Sequence, residues 1–337
     1  SKEGKMEHMQ KEIQIFLTKN LGNADFNLEP INKGGSDRVF FRVSLPDKTS
    51  FVFMHYGDEV AENAYWARIN KFMAALDIAV PRIIAQDDKQ HFILMDDLGE
   101  IDLWSLRFEP WQERRNLYFQ ALSQIYRLHS FNVKTIPAEL QLSESYGPRL
   151  YKWEHDYFLE NFVWQVCKIK LSSVEAAQLN KELLALSERM QKIEPSLIHR
   201  DFQSQNIMIK NNQPVFIDFQ GMRRGNFFYD LGSLICDPYV NFTDEERSEL
   251  ISFYHQLIKK PVSIDEFTAR FWEASAQRLM QALGAYGFLG LKKNKLDFLK
   301  HIHGGVNNLF MATSHCGNLP NLHGLAKQCM NILDNRQ

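Results

Sequence analysis

The chain is poor in cysteine and has none in a paired arrangement. Its four cysteines, Cys167, Cys236, Cys316 and Cys329, show no C-x-x-C spacing among 337 residues. A disulfide framework and a zinc ribbon are therefore not expected, and the thiols are read as reduced. An excess of charge is missing too. Against 41 Asp and Glu there are 39 Lys and Arg, a net of -2, which offers no field to draw in nucleic acid or an anionic membrane. No apolar run approaches the length of a bilayer span. No basic-then-apolar segment opens the chain, so a cytoplasmic location is the expectation. Internal repeats and low-complexity tracts are also lacking. Because the chain starts at Ser1, the residues before Met6 or Met9 (1–8) are set aside as a candidate expression remnant or a disordered end. The full chain is 45% hydrophobic and 24% charged, an ordinary globular composition long enough for one large or two medium domains.

The texture changes once along the chain. Residues 9–21 read as an amphipathic helix with Ile13, Phe16 and Leu17 at helical spacing. Lys33-Gly34-Gly35-Ser36-Asp37 reads as a flexible loop. Val39–Val43 and Phe51–Met54 flank the turn chemistry of Pro46-Asp47-Lys48-Thr49 and predict a hairpin. A helix over 60–76 follows, then strands at Arg82–Ala85 and Phe92–Met95. Beyond Asp96-Asp97-Leu98-Gly99 the pattern turns helical, with segments near 112–130, 150–168, 173–192, 244–259, 265–287 and 295–313. Short strands interrupt it only around 197–218. The expected fold class is α+β: a small antiparallel-sheet N-lobe over residues 1–98, a larger mainly helical C-lobe over 99–337, and a cleft between them.

The chemistry concentrates in one stretch. His199-Arg200-Asp201 is followed, after four residues, by Asn206, and the apolar run Phe216-Ile217 ends in Asp218. H-R-D-x4-N is the catalytic-loop pattern of kinases, in which the Asp takes a hydroxyl proton and the Asn binds a metal ion. Asp201 is the candidate catalytic residue, and a turn capped by an Asp is its plain alternative. Asn206 and Asp218 offer the hard oxygen donors that Mg²⁺ takes sparingly from protein. ATP and Mg²⁺ are thus the expected cofactors. Protein kinases place a long activation segment ending in A-P-E after the metal-binding Asp. Only eleven residues separate Asp218 from Asp230, and no A-P-E follows, so the acceptor is expected to be a small molecule.

These residues resemble the aminoglycoside phosphotransferase/choline kinase group, small-molecule kinases with a protein-kinase-like fold. Within it the chain is most similar to the bacterial anomeric kinases of N-acetylmuramate and N-acetylglucosamine. The resemblance runs from about Gly34 to Leu289 and rests also on residues 35–42 (Gly35-Ser36-Asp37-Arg38-Val39-Phe40-Phe41-Arg42), 94–99, 229–234 and 277–284. It implies an ATP- and Mg²⁺-dependent kinase acting on a sugar or amino alcohol, with an amino sugar at its anomeric position as the leading acceptor. The alternatives are an aminoglycoside, choline or other amino alcohol, and, from another class, a nucleotide-binding regulator without catalysis. It implies Asp230 at the start of a helix, bracing the catalytic loop together with His199. Asp96 and Leu98 fall at the hinge expected to meet the adenine edge. Gly34, Gly35 and Ser36 would cradle phosphates, although such a run also serves as a plain linker.

One departure from that pattern bears on function. The group's strand lysine should fall near Met54, and Phe51–Tyr56 contains none. Arg38, Arg42 and Lys33 are the candidates to supply charge at the phosphates, with solvated strand-edge positions as the alternative. Glu59 or Glu62 then lacks the usual partner. Asp237 and Tyr239 are candidates for holding the acceptor. Most aromatics of the helical part (Trp104, Trp111, Trp153, Tyr157, Phe158, Phe162, Trp164) are expected in the core. His301, His303, His315, Cys316, His323 and Cys329 match no zinc spacing and are given no function. The acceptor, the hydroxyl that is phosphorylated, the choice of ATP over GTP and the oligomeric state stay open.

Overall fold

The computed structural model describes residues 1–23, 25–32 and 37–336. Helix α1 (Lys2–Leu21) is followed by strands β1 (Asn27–Ile31), β2 (Arg38–Ser44) and β3 (Ser50–Tyr56), helix α2 (Trp66–Ala75), and strands β4 (Ile83–Asp87) and β5 (Phe92–Asp96). The five strands form one antiparallel sheet in the order β1-β2-β3-β5-β4. The β2–β3 hairpin closes as its turn residues predict. Lys48 takes φ 70°, and the Asp47 carboxylate accepts from the Thr49 backbone N–H and hydroxyl.

Alternation along the strands gives the sheet two different faces. Phe51 and Phe53 of β3, Val43 of β2 and Phe92 and Leu94 of β5 meet Ile13, Phe16 and Leu17 of α1. Val52, Met54 and Tyr56 of β3, with Phe40, Ile93 and Met95, face the other way into the main core. Arg38 and Arg42 share the Phe40 side of β2, because residues two apart in a strand point alike. Sheet register therefore decides that both arginines face inward.

The helical remainder comprises α3 (Trp111–His129), α4 (Pro148–Phe158), α5 (Ser173–Gln191), α6 (Phe227–Ile235), α7 (Asp244–Leu257), α8 (Ile264–Gly287), α9 (Ile302–Ser314) and α10 (Pro320–Asp334). Buried α8 is its centre, packed on α4, α6 and α9. The α6–α8 approach needs a glycine at 232, where a Cβ would lie 2.9 Å from the Ser275 Cα. Between α5 and α6 run four short strands. Strand β6 (Ser196–Ile198) pairs with β9 (Arg223–Gly225), and β7 (Ile207–Lys210) with β8 (Gln213–Phe216). Asn211 and Asn212 both take positive φ and make the tight β7–β8 turn.

Several boundaries differ from the sequence expectation. Helix α1 begins at Lys2, capped by the Ser1 hydroxyl, so the residues set aside belong to a helix, although an exposed one. The segment 60–76 opens as a 3₁₀ turn, Ala61–Tyr65. That at 150–168 leaves α-geometry at Leu159–Trp164, where the turn widens to a π-helix. Strand β1 was not predicted from the sequence; its Pro30 is tolerated because β1 lies at the sheet edge. Helix α10 was also missed, despite the stripe of Leu322, Leu325, Ala326, Cys329 and Leu333 that it buries.

Candidate active site

The catalytic loop hangs between β6 and β7 and is held from below by buried carboxylates. Arg200 adopts φ 83°, a left-handed conformation that costs a non-glycine residue about 1–2 kcal/mol. The compensation lies in Asp230, in the first turn of α6. Its fully buried carboxylate accepts from the backbone N–H of His199 at 2.8 Å and of Arg200 at 2.9 Å, and pairs with His129 Nε2 at 2.8 Å. Asn226, not Asp230, caps the helix. His199 Nδ1 accepts from the Asp201 N–H while its Nε2 donates to the Ile217 carbonyl, which sets the tautomer and ties the loop to the strand leading to Asp218.

Asp237, read from sequence as an acceptor contact, is placed elsewhere. It is fully buried under the loop, accepting from the Ser204 N–H and hydroxyl and from the Tyr239 N–H. It steadies the turn that carries Asn206 and does not open into the cleft. Burial raises its carboxyl above the ordinary value, against the lowering effect of the Ser204 hydrogen bond. Tyr239 is half-buried; its ring lies 3.9 Å from that of His301 and 6.1 Å from that of Tyr286. The His301 imidazole is pushed down to about 4, chiefly by burial.

Asp201 itself keeps 31% of its side chain exposed. Its Oδ1 lies 3.2 Å from Arg200 Nη1 and 3.4 Å from Arg278 Nη1. Oδ2 faces Gly221, where a Cβ would sit 3.6 Å from it, 3.7 Å from Arg223 Nη2 and 3.8 Å from Glu62 Oε2. Burial pushes the Asp201 carboxyl up, but Arg200 and then Arg278 outweigh it, so the group lies below its ordinary value and stays ionised at neutral pH. The three guanidiniums are themselves held. Arg200 is 3.6 Å from buried Glu154, Arg278 donates to Gln203 and Gln281, and Arg223 pairs with Glu62 at 3.2 Å. Glu62 thus finds its partner across the cleft, on β9 rather than on β3.

The metal-ligand candidates suit a hard divalent cation. Asn206 Nδ2 donates to the Asp201 carbonyl at 2.8 Å, which commits its nitrogen and leaves the oxygen as the donor atom. The Ile217 N–H donates to the Asn206 carbonyl at 3.0 Å and brings the strand before Asp218 alongside. Two oxygen donors, one of them charged, are what Mg²⁺ asks of a protein when substrate phosphates and water complete its shell. Among the described residues no His, Cys, Asp or Glu cluster of three forms a metal site, consistent with so sparse a set.

Above these residues, a cavity of about 90 Å³ opens between the sheet and the Ile217–Asp218 segment. Phe40, Val52 and Met95 line it from the sheet and Met208 and Ile217 from below; Asp96, Asp97, Leu98 and Gly99 close its end. Asp96 and Leu98, the residues read as a hinge, both line this cavity. Arg42 is turned toward that end, within 2.8 Å of Asp97 and 3.2 Å of Glu100. Arg38 lies at the other, 3.0 Å from Asp218 Oδ1. Met54, at the position of the absent lysine, is fully buried. Lys33, Gly34, Gly35 and Ser36 lie outside the described residues. Phe158 and Phe162 are core, whereas Trp153 and Trp164 are surface residues. His315 packs on Trp272 and His323 on Phe310. The four cysteines are buried free thiols.

Arg278, Arg223 and Glu154 were not singled out from the sequence. Arg278 left one sign, a lone cation in an otherwise uncharged run from Ala274 to Leu291. Glu154 and Arg223 left none, because their partners are distant in sequence.

An antiparallel sheet above a helical lobe, with the catalytic loop and a second acidic loop at their junction, defines a protein-kinase-like, two-lobed phosphotransferase architecture. The chain belongs to the phosphotransferase enzyme family, whose sequence pattern matches residues 27–271. It is 22% identical over 326 residues to the N-acetylmuramate/N-acetylglucosamine kinase of Neisseria meningitidis serogroup B, covering 94% of this chain and 95% of that one. The protein of the same name from Pseudomonas aeruginosa is 23% identical over 301 residues, covering 85% and 84%. Among solved structures, a choline/ethanolamine kinase family protein from Mesorhizobium loti superposes with a TM-score of 0.63 at 13% identity, covering 95% of this chain and 99% of that one. The streptomycin-ATP-APH(2″)-IIa ternary complex gives 0.56 at 17% identity, covering 83% and 91%. These structural likenesses establish the fold.

Proposed function

We propose that the protein transfers the γ-phosphoryl group of ATP, with Mg²⁺, to a hydroxyl of an amino sugar, at the anomeric position. The nucleotide lies against the 1–98 side with its adenine edge at Asp96–Leu98, and the acceptor lies against the 99–337 side, in a cytoplasmic setting. Asp201 orients the acceptor hydroxyl and receives its proton as the new O–P bond forms and the bond from the γ-phosphorus to the bridging oxygen of ADP breaks. Asn206 and Asp218 would hold the metal, which supplies neutralisation of phosphate charge.

The observation that favours a sugar over an amino alcohol is the ring of guanidiniums around Asp201. Arg200 and Arg278 lie 3.2 and 3.4 Å from Oδ1, and Arg223 adjoins Oδ2 across Gly221. A cationic acceptor entering there would meet like charge in a partly desolvated site, whereas a neutral or carboxylated sugar would meet hydrogen-bond donors. The two relatives named as N-acetylmuramate/N-acetylglucosamine kinases point the same way.

ADP release should be measured against N-acetylglucosamine, N-acetylmuramate, choline and an aminoglycoside. Turnover with the sugars, giving an acid-labile phosphate, is expected; turnover with choline or the aminoglycoside alone overturns the sugar assignment. Asp201→Asn should lower kcat by about 10³-fold, in the range for a lost general base, and still bind ATP. Because Met54 replaces the strand lysine, ATP binding without turnover on any acceptor would instead mark a regulator.

A further inference from the structure

We propose that Arg38 is an exchangeable counter-ion. It neutralises Asp218 while the cleft is empty, and it passes to the phosphate oxygens of the nucleotide when a metal ion takes its place on that carboxylate. The proposal rests on the phosphotransferase reading above and adds to it a residue that does two jobs in turn.

Arg38 enters from the sheet side, on the inward face of β2, with 7% of its side chain exposed. Its Nη2 is 3.0 Å from Asp218 Oδ1, and its Nη1 donates to Gln220 Oε1 at 3.2 Å. The guanidinium thus forks over a single loop, the one that carries the acidic metal-ligand candidate. A divalent cation bound to Asp218 would sit beside a guanidinium in a site of low dielectric. Two cations so placed repel each other strongly, so both cannot keep Oδ1. A polyphosphate arriving with the metal offers the displaced guanidinium a bidentate partner of higher charge.

Among the described residues, the surrounding side chains narrow the role to Arg38. Arg42, two residues along the same face, is bound to Asp97 and Glu100 at the hinge end. Met54, in the strand position where a lysine would serve, is apolar and fully buried. The glutamate that would partner such a lysine, Glu62, is held by Arg223. Among the described residues, two ion pairs of opposite polarity therefore cross the cleft. In Glu62–Arg223 the acid comes from the sheet side; in Arg38–Asp218 the base does. Only the second contains a metal-ligand candidate, so only the second must break when metal and nucleotide bind.

The test compares wild type, Arg38→Met and Arg38→Lys by calorimetric binding of MgATP and adenosine, and by electron paramagnetic resonance titration of Mn²⁺ without nucleotide. Circular dichroism confirms that each variant is folded. Arg38→Met should lose about tenfold or more in MgATP affinity, the size of a lost charge-assisted hydrogen bond, with adenosine affinity unchanged. It should also bind Mn²⁺ alone more tightly than wild type, because Asp218 has lost a competing cation. Arg38→Lys, which keeps the charge but not the fork, should keep Mn²⁺ binding weak and recover only part of the MgATP affinity. Equal MgATP affinity in wild type and Arg38→Met, or Mn²⁺ binding that is no tighter in Arg38→Met, overturns the exchange. If wild type binds no ATP, the phosphotransferase reading fails, and the Mn²⁺ comparison decides by itself whether Arg38 and a metal compete for Asp218.

Discussion

Below the cleft, each charged group is held several times over. Asp230 takes two backbone N–H groups and an imidazole, Asp237 takes Ser204 twice and Tyr239, and Glu154 gathers Tyr146, Tyr229 and Gln277 with Arg200 close by. Above it, the sheet presents an apolar surface with two arginines, each tied to carboxylates at one end of the cavity. The lower wall is built to keep one geometry, since a buried carboxylate with all its donors in place is costly to disturb. On the upper wall, Arg38 is the residue we propose to exchange partners. This division suits phosphoryl transfer, in which the hydroxyl-orienting group must stay still while nucleotide and metal come and go.

Substitutions can break or sharpen the contrast. The largest effect is expected at Asp230→Ala, which strands three buried donors and should lower unfolding free energy by about 3–5 kcal/mol, read from the denaturant midpoint. A loss below about 1 kcal/mol would mean that the lower wall is no more rigidly held than a surface ion pair. Arg278→Met tests the electrostatics of the same wall. Asp201 is held below its ordinary carboxyl value with help from Arg278, so removing that charge raises it, and the acid limb of the kcat/KM profile should move to higher pH. The same sign applies to stability. A carboxyl depressed by folding stabilises above its unfolded pKa, and that contribution fades as pH falls through the folded value. Arg278→Met should therefore lose acid stability at higher pH than wild type. An unmoved acid limb would remove Arg278 from the field at Asp201. The smallest effect belongs to the upper wall. Arg42→Ala should cost about 1–3 kcal/mol, because largely buried Asp97 loses its cation but keeps the Ser50 hydroxyl and the Gly99 N–H as donors, while the pair with exposed Glu100 adds little, with a modest rise in KM for ATP.

How far the sequence could be read follows the same line. The hairpin turn, the long helices and the H-R-D-x4-N string were legible because each is local: turn chemistry, periodicity, or fixed spacing along one loop. Strand β1 was not predicted, and its Pro30 is excused only by an edge position. The place of Asp237 was hidden because a carboxylate aimed at Ser204 and one aimed at a sugar look alike in one dimension. Arg38 and Arg42 were equal candidates until the fold turned one toward Asp218 and the other toward Asp97.

By itself, then, the sequence determined the kind of chemistry and put forward its candidate residues. Asp201, Asn206 and Asp218 are spaced by a single loop and a short strand pair, and the eleven residues before Asp230 leave no room for a protein-docking segment. Tertiary structure alone decided how the charges are wired. Among the described residues, Asp201 meets cations from positions 200 and 278, Glu62 one from 223 and Asp218 one from 38. Electrostatic interaction depends on distance through space and on burial, and neither is written in residue order when two lobes meet across a cleft.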